Sequence, residues 1–378
     1  MPMFLNEDQT MLRDSAREFL KTEAPVSHMR KLRDEGCKDG FRHALWKQFG
    51  EMGFTGILIG EDDGGLGLGH VEAGVVLEEI GRNLSPSPFL TTAVAGVSAL
   101  NHGGQHLKDK FFPGILAGET VLALAIDEHA KHRPAQIATK AEKSGNGFKL
   151  SGKKQFVVQG ASADALIVAA RTAGAPGETD GITLFVVDKD SANLSIDNTR
   201  LVDSSMAAHV TLDGVEVDGD AVIGDVDNGW QVLSALLKAG RAGSAAELVG
   251  VGSGAMDMTV DYLKQRKQFG RLIGEFQALQ HRAAHLYSEM EIARAAVLKA
   301  QQLLDEGKDS ADIYVSVAKA KAGRSANLAV REGVQMHGGI GMTDEYDIGF
   351  YMKRDRALNE FMGDANFHAG RVAEIFGY

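Results

Sequence analysis

Apolar residues at Leu5, Leu12, Ala16, Phe19 and Leu20 recur at helical spacing behind Asn6, a candidate cap, so an amphipathic helix is predicted near the start of the sequence. Trp46, Phe49, Met52 and Phe54 lead into GILIGEDDGGLGLG, whose glycines predict a connecting loop before VEAGVVLEEIGR resumes an apolar stripe. From about residue 119 to 226 the period changes toward two. VLALAI, GFKLSGKKQFVV, DALIVAAR, GITLFVV and HVTLDGVEV are separated there by Gly, Asp and Asn, the pattern of a β-domain of several antiparallel strands. After Trp230 the helical period returns in three stretches, roughly 230–268, 279–304 and 311–336. At about 1.5 Å per residue these helices span about 30 to 55 Å each, which favours a bundle. The expectation is an α+β chain with a helical N-terminal domain (1–118), a middle antiparallel β-domain (119–226) and a C-terminal helical bundle (227–378).

Its 378 residues exceed the usual size of one hydrophobic core, in keeping with subregions that share buried surface. A formal charge of −11 argues against a nucleic-acid or anionic-membrane partner, since both select basic faces. Cys37 stands alone, which excludes an internal disulfide and any multi-cysteine metal or iron–sulfur site and suits a reducing compartment, with cytoplasm expected. The opening MPMFLNEDQTMLRD has neither a basic nor an apolar signal region, and no run approaches the roughly 18 apolar residues of a membrane span, so membrane insertion is not expected. The Asn193 sequon is then read as chance.

Two clusters carry candidate chemistry. Arg266-Lys-Gln-Phe269-Gly270 is followed by Phe276 and Gln277 at a predicted helix junction. A guanidinium fork and an amide suit a pyrophosphate and a polar ring edge there, and a charged helix end with a glycine cap is the plainer reading. Gln335-Met-His337-Gly338-Gly339-Ile-Gly341-Met-Thr343 closes the third long helix, and its glycines let a ligand approach the backbone amides, or simply stop the helix. Other signals are weaker. His281 and His285 lie four apart without a third metal ligand, so no metal is expected. Gly250-Val-Gly252-Ser-Gly254 follows no strand and reads as close helix packing, and His129, His132 and Arg133 read as a solvated basic loop.

LNEDQTMLRDSAREFL, WKQFGEMGFTGILIGEDDGGLGLG, RKQFGRLIGEFQ and QMHGGIGMT each stand where the acyl-CoA dehydrogenase family has its corresponding pattern, and the chain resembles that family from end to end. The resemblance implies a helical N-terminal domain, a middle β-domain and a C-terminal four-helix bundle, with FAD bound across a dimer interface. It implies that Arg266, Phe269 and Gln277 of one subunit, with Gln335, Gly338 and Gly339 of its neighbour, hold the diphosphate and adenosine side of FAD, and that Arg241 helps hold the CoA nucleotide. It implies further an acyl-CoA substrate, an acceptor like electron-transfer flavoprotein, and a role in fatty acid or steroid catabolism. In the reaction a carboxylate takes the α-proton while flavin N5 accepts a hydride from Cβ.

The sequence departs from the family at two places. Where the middle domain normally has Thr-Glu-Pro, Ala-Gly-Ser-Asp and then Trp-Ile-Thr, this chain has AIDEHAKHRPAQ and Phe156-Val157-Val158, with Ser162 nearby. The family's two positions for its glutamate base align with Gly363 and Gly240. Asp364 and Glu247 are the replacement candidates. Glu247 ranks first, because a carboxylate in AGSAAELVGVGSG is costly without a partner or a role and its small neighbours leave room for a bulky acyl group. A place on the exposed stripe or pairing within the bundle is the plainer reading of Glu247, and capping of the last helix that of Asp364. GRAGSAAELVG, GGIGMTDEYD and RDRALNEFMGDANFH are similar to the branch of heteromeric dehydrogenases acting on steroid side chains or dicarboxylyl thioesters. Homodimer, homotetramer and heterotetramer therefore stay open, as do a non-catalytic partner subunit and a flavin oxidase or hydroxylase that uses Asp364.

Overall fold

The computed structural model describes residues 3–378. The elements up to residue 118 are α1 (Glu7–Glu23), α2 (Val26–Asp34), α3 (His43–Glu51), α4 (His70–Asn83), α5 (Val97–Leu100) and α6 (Gln105–Leu116), with a π-helical stretch Phe89–Gly96 running into α5. Strands follow as β1 (Leu122–Ala125), β2 (Lys140–Ser144), β3 (Gly147–Val158), β4 (Ala165–Arg171), β5 (Ile182–Asp188), β6 (Leu194–Arg200), β7 (Met206–Val217) and β8 (Val222–Ile223). Then come α7 (Trp230–Gln265), a hairpin β9–β10 (Lys267–Gln268, Arg271–Leu272), α8 (Gln277–Asp305), α9 (Ala311–His337), α10 (Ile348–Glu360) and α11 (Ala365–Ile375). No described helix is long and apolar enough to cross a membrane. Contacts divide the chain into two compact units: one of Leu32–Gly69 and Pro86–Gly240, the other of the segment ending at Lys31 with His70–Ser85 and Arg241–Tyr378.

In the first unit the sheet runs β6-β7-β3-β2-β4-β5-β8. Its pairs are antiparallel, as expected for the middle domain, except that β1 and one residue pair of β2 run parallel to β4. The sequence pattern missed β2 and β6, because both are short polar strands with one exposed face and no apolar alternation. β4 is buried along its whole length, and its continuous apolar run ALIVAAR follows from that. Lys154 on β3 is buried at 0% side-chain exposure, where its Nζ meets Glu128 Oε1 at 2.7 Å and the Ile126 carbonyl at 3.1 Å. Burial pushes the Lys154 ammonium down. Burial would raise Glu128, but Lys154, Thr139 and the Ala138 amide hold it below its ordinary value.

That ion pair ties the unusual 126–139 segment to β3. His132 was expected in a solvated loop, yet it is buried with Nδ1 2.8 Å from Asp127 Oδ2, because the Asp127 side chain folds back on it. Ser162 sits in the turn after β3, donating to the Gln159 carbonyl at 3.2 Å.

In the second unit Asn6 caps α1 through a reciprocal capping box with Gln9, and α1 packs Ala16 and Leu20 inward. Met29, Leu84, Val251, Ala255, Val330, Ile348, Phe350 and Tyr351 form one core cluster that joins α2, α7, α9, α10 and the residue after α4. The glycine stripe of α7 is a packing device. A Cβ on Gly250 would stand 1.9 Å from the Glu78 carbonyl oxygen of α4, and one on Gly254 would stand 2.6 Å from the Arg82 carbonyl oxygen. On the α8 and α9 side, a Cβ on Gly252 would meet Met290 at 2.7 Å and Ala326 at 3.1 Å. Ion pairs surround the α4–α7 seam: fully buried Glu79 binds Arg17 at 2.7 Å, and Glu78 binds Arg294 at 3.0 Å. Burial opposes the Arg294 charge, but Glu78 and Glu291 raise the guanidinium above its usual range.

Gly250→Ala gains helix propensity but forces α4 and α7 apart, so a net loss of about 2 kcal/mol is expected in urea denaturation. Gly370→Ala, exposed on α11 with open space around its Cβ, is expected to gain up to about 1 kcal/mol. Lys154→Met leaves Glu128 buried without its cation and is expected to cost about 3 kcal/mol or more. A Lys154→Met chain as stable as the parent would show that the pair does not hold the 126–139 segment.

Candidate active site

The predicted cofactor residues stand on two helix ends. Beyond Gln265 the chain turns sharply through β9–β10, with Phe269 (φ 53) and Gly270 (φ 80) both left-handed at the turn. This is a two-residue hairpin loop rather than the expected glycine cap. Arg266 and Gln277 are exposed, Phe269 is 91% exposed, and Arg271 lies over the Phe276 ring at 4.1 Å. At the end of α9, Gln335, Gly338 and Gly339 are exposed, Gly338 has φ 65, and a Cβ built on either glycine meets nothing within 4 Å.

A buried ring stack joins these ends within one chain. His337 lies 4.4 Å from Tyr262 of α7 and 4.7 Å from Tyr346, centroid to centroid, with Nδ1 2.7 Å from the Gly333 carbonyl. Arg266 is one turn beyond Tyr262 and Gly338 directly follows His337, so both motifs project from one aromatic seam. The sequence expectation divided them between neighbouring subunits; in a single protomer they are already side by side. Burial pushes the His337 imidazole down, and its Nε2 has no hydrogen-bond partner among the described residues.

These features fit a dinucleotide: open space before two glycines, an unengaged fork and amides, and an orphaned buried ring nitrogen. Arg266 and the glycines would hold its diphosphate. On β3 the fit is different. The ladder jumps between Lys154 and Val157, and Phe156 (φ 53) points its half-exposed ring toward His209 at 6.4 Å, so this strand offers backbone groups and no hydroxyl.

The second group lies inside the helices. Glu247 is 2% exposed and receives Nε of Arg354 at 2.9 Å, with Nη2 on the same Oε1. Arg241, expected at the CoA nucleotide, is 3% exposed; its Nε donates to the Met362 carbonyl at 3.3 Å and its guanidinium lies 5.5 Å from the Phe367 ring centroid. Asp364 caps α11, accepting from the amides of Asn366 and Phe367 at 3.0 and 2.8 Å. Ser244, Ala245 and Ala246, expected to leave room beside Glu247, are themselves buried.

Gly363 explains why no base stands at the first family position. Its φ is 106, and a Cβ there would lie 2.4 Å from the Phe367 ring. Met362 before it is also left-handed at φ 56. A side chain at 363 would have to displace Phe367.

Sequence reasoning missed Lys319, Arg354 and Asp355. Lys319 is 1% exposed and donates to the Leu358 carbonyl at 2.8 Å. Desolvation lowers it to about 7, while Asp355, Glu247 and Asp364 pull the other way. Asp355 is pushed up to about 6 by burial, although Asn327 and Asn359 donate to it at 2.9 and 2.7 Å. A signal existed: Lys319 follows Val315 by four and precedes Ala322 by three, which puts a cation on the apolar face of α9. Eighteen residues of α7 separate Glu247 from Gln265, roughly 27 Å at the helical rise, so in one protomer the carboxylates and the cradle are far apart.

Comparison with known proteins places the whole chain. Acyl-CoA dehydrogenase N-terminal, middle and C-terminal domain patterns match residues 6–119, 126–215 and 227–376. A 3-(aryl)acrylate reductase of Clostridium sporogenes is 31% identical, covering 92% of each chain, and acyl-CoA dehydrogenase FadE12 of Mycobacterium tuberculosis is 32% identical, covering 85% of each. A solved variant of the Tcur3481–Tcur3483 steroid ACAD superposes with a TM-score of 0.88 at 31% identity, over 98% of both chains. With three domain patterns in order along almost its full length, the chain belongs to the acyl-CoA dehydrogenase family of FAD-dependent oxidoreductases.

Proposed function

We propose that this protein dehydrogenates an acyl-CoA thioester between Cα and Cβ, with Glu247 as the group that takes the α-proton. The observation that carries this reading is a buried carboxylate on α7 combined with a glycine at 363 whose surroundings leave no space for a side chain. Two N–H groups of Arg354 converge on Oε1 of Glu247 and fix the carboxylate in one orientation. FAD, when bound, supplies the hydride acceptor. Proton transfer then requires Glu247 to exchange its guanidinium contact for the substrate Cα. The enolate oxygen needs donors in a water-poor site, and the buried setting of Glu247 meets the second condition.

Asp364 is the weaker candidate because both recorded bonds of its carboxylate serve the first turn of α11. An oxidase or hydroxylase built on Asp364 would have to break that cap. Arg241 is read as a brace for the 362–363 link rather than a ligand of the CoA nucleotide, since it is 3% exposed and its Nε donates to the Met362 carbonyl. Arg266, Phe269, Gln277, Gln335, Gly338 and Gly339 are read as one dinucleotide cradle presented by a single protomer.

The separation of roughly 27 Å along α7 between Glu247 and the helix end that leads to the cradle supports assembly with a second chain, so that one subunit's cradle serves a flavin whose ring lies elsewhere. The Tcur3481–Tcur3483 steroid ACAD names two polypeptides. A related second subunit and a steroid-type or other bulky thioester are the corresponding reading here, with electrons passing to a separate flavoprotein acceptor.

Anaerobic mixing of the flavin-loaded protein with acyl-CoA thioesters tests the role of Glu247. Glu247→Gln is expected to abolish bleaching of the flavin band while FAD stays bound, and unchanged bleaching would remove Glu247 as the base. Arg266→Ala is expected to weaken FAD about 100-fold, the scale for losing one partner of a desolvated charge pair. Protein that stays colourless with added FAD until a related chain is supplied would mark it as the partner half of a heteromer.

A further inference from the structure

Among the described residues of the helical unit, Lys319 is the most deeply buried cation that the reaction outlined above does not use. It projects from α9 into the space among α7, α10 and the start of α11. Arg241 and Glu247 face it from α7, Asp355 from α10, and Asp364 from the cap of α11, all within electrostatic reach. Two other charges of α9 are engaged elsewhere: Lys321 pairs with Glu289 of α8, and Asp312 with Arg371 of α11. The Lys319 ammonium donates to Leu358, in the last turn of α10, where a helix end favours a cation.

That last turn leads into Phe361-Met362-Gly363-Asp364, whose two left-handed residues are held by side chains at every step. Lys319 holds Leu358, Arg241 and His368 both reach the Met362 carbonyl at 3.3 and 3.2 Å, and Asp364 caps the next helix. Two successive residues at positive φ persist only where their surroundings over-determine them. An isosteric apolar side chain would fill the Lys319 site without the desolvation cost of an amine, so the cation is retained against stability.

We infer that Lys319 is a positioning residue of the dehydrogenation site: from inside the bundle it fixes the α10–α11 elbow and balances the charge on Glu247. This rests on the reading of Glu247 as the proton acceptor. The amine titrates near neutrality, lowered to about 7 by its desolvation. Below that pH its positive charge favours the Glu247 anion, and above it the support fades. Stability has the opposite trend. Between about 7 and the ordinary lysine value the unfolded chain binds more protons than the folded one, so the contribution of Lys319 to stability improves as pH rises through that window.

The test compares Lys319→Met with the parent as flavin-loaded full chains, in whatever assembly the parent adopts. Expected are flavin reduction by acyl-CoA slower on the order of tenfold with FAD content unchanged, an acidic limb of the rate–pH profile moved to higher pH, and a melting temperature no lower than the parent's at pH 6. The melting difference should narrow toward pH 10. Lys319→Gln, which keeps a donor for Leu358 without the charge, should recover part of the rate but leave the limb displaced. An unchanged rate and profile in Lys319→Met would overturn the proposal. So would a Lys319→Met chain that fails to fold, because the amine would then be a requirement of the fold and not of the site. Glu247→Gln run alongside separates the two readings: if it still bleaches, the base assignment fails, whereas a displaced limb in Lys319→Met with an inactive Glu247→Gln supports both.

Discussion

The contact on which the helical unit depends is backbone against backbone between α4 and α7. Gly250 and Gly254 remove the side chains that would keep the helices apart, and on the other side a Cβ on Gly81 would stand 2.1 Å from the carbonyl oxygen of Glu247 itself. The height and rotation of Glu247 within the bundle are therefore set by a close approach to another helix. The charges of α4 are then drawn into the seam, where Glu79 is wholly buried and pairs with Arg17 and Arg82.

With α7 fixed, the interior collects polar groups that a core built for stability alone would exclude. Glu247 with Arg354, Asp355 with two asparagines, and Lys319 with a lone carbonyl are each held locally, and together they balance charge across α7, α9 and α10. Buried ion pairs of this kind contribute little net stability compared with apolar packing. Their concentration around Met362 and Gly363, where the backbone is already in uncommon conformations, marks the place where this chain gives up stability to hold a geometry. The buried Lys154–Glu128 pair in the other unit, which meets at 2.7 Å, instead organises a loop.

The cradle residues show the complementary pattern. Arg266, Phe269, Gln277, Gln335 and the two glycines are exposed on the protomer, behind a packed seam of Tyr262, His337 and Tyr346. A rigid aromatic base with an accessible rim suits recognition of a large planar and anionic ligand, since ordering costs are met before the ligand arrives.

Periodicity by itself determined the element types. Long apolar stripes gave α7, α8 and α9 to within a few residues, and period two gave the long strands, because burial of one face leaves a regular mark on the sequence. The glycine stripe of α7 was legible as packing because no strand precedes it. Short polar strands such as β6 and the β9–β10 hairpin left no such mark. Only tertiary structure decided that Glu247 faces Arg354, that Arg241 serves the Met362 carbonyl, that Gly363 excludes a side chain and that Lys319 lies at the centre of the charges. Residues 241, 247, 319, 354 and 364 are brought together by helix crossings, and a crossing depends on which surfaces fit, a property of pairs of helices that one-dimensional spacing does not carry.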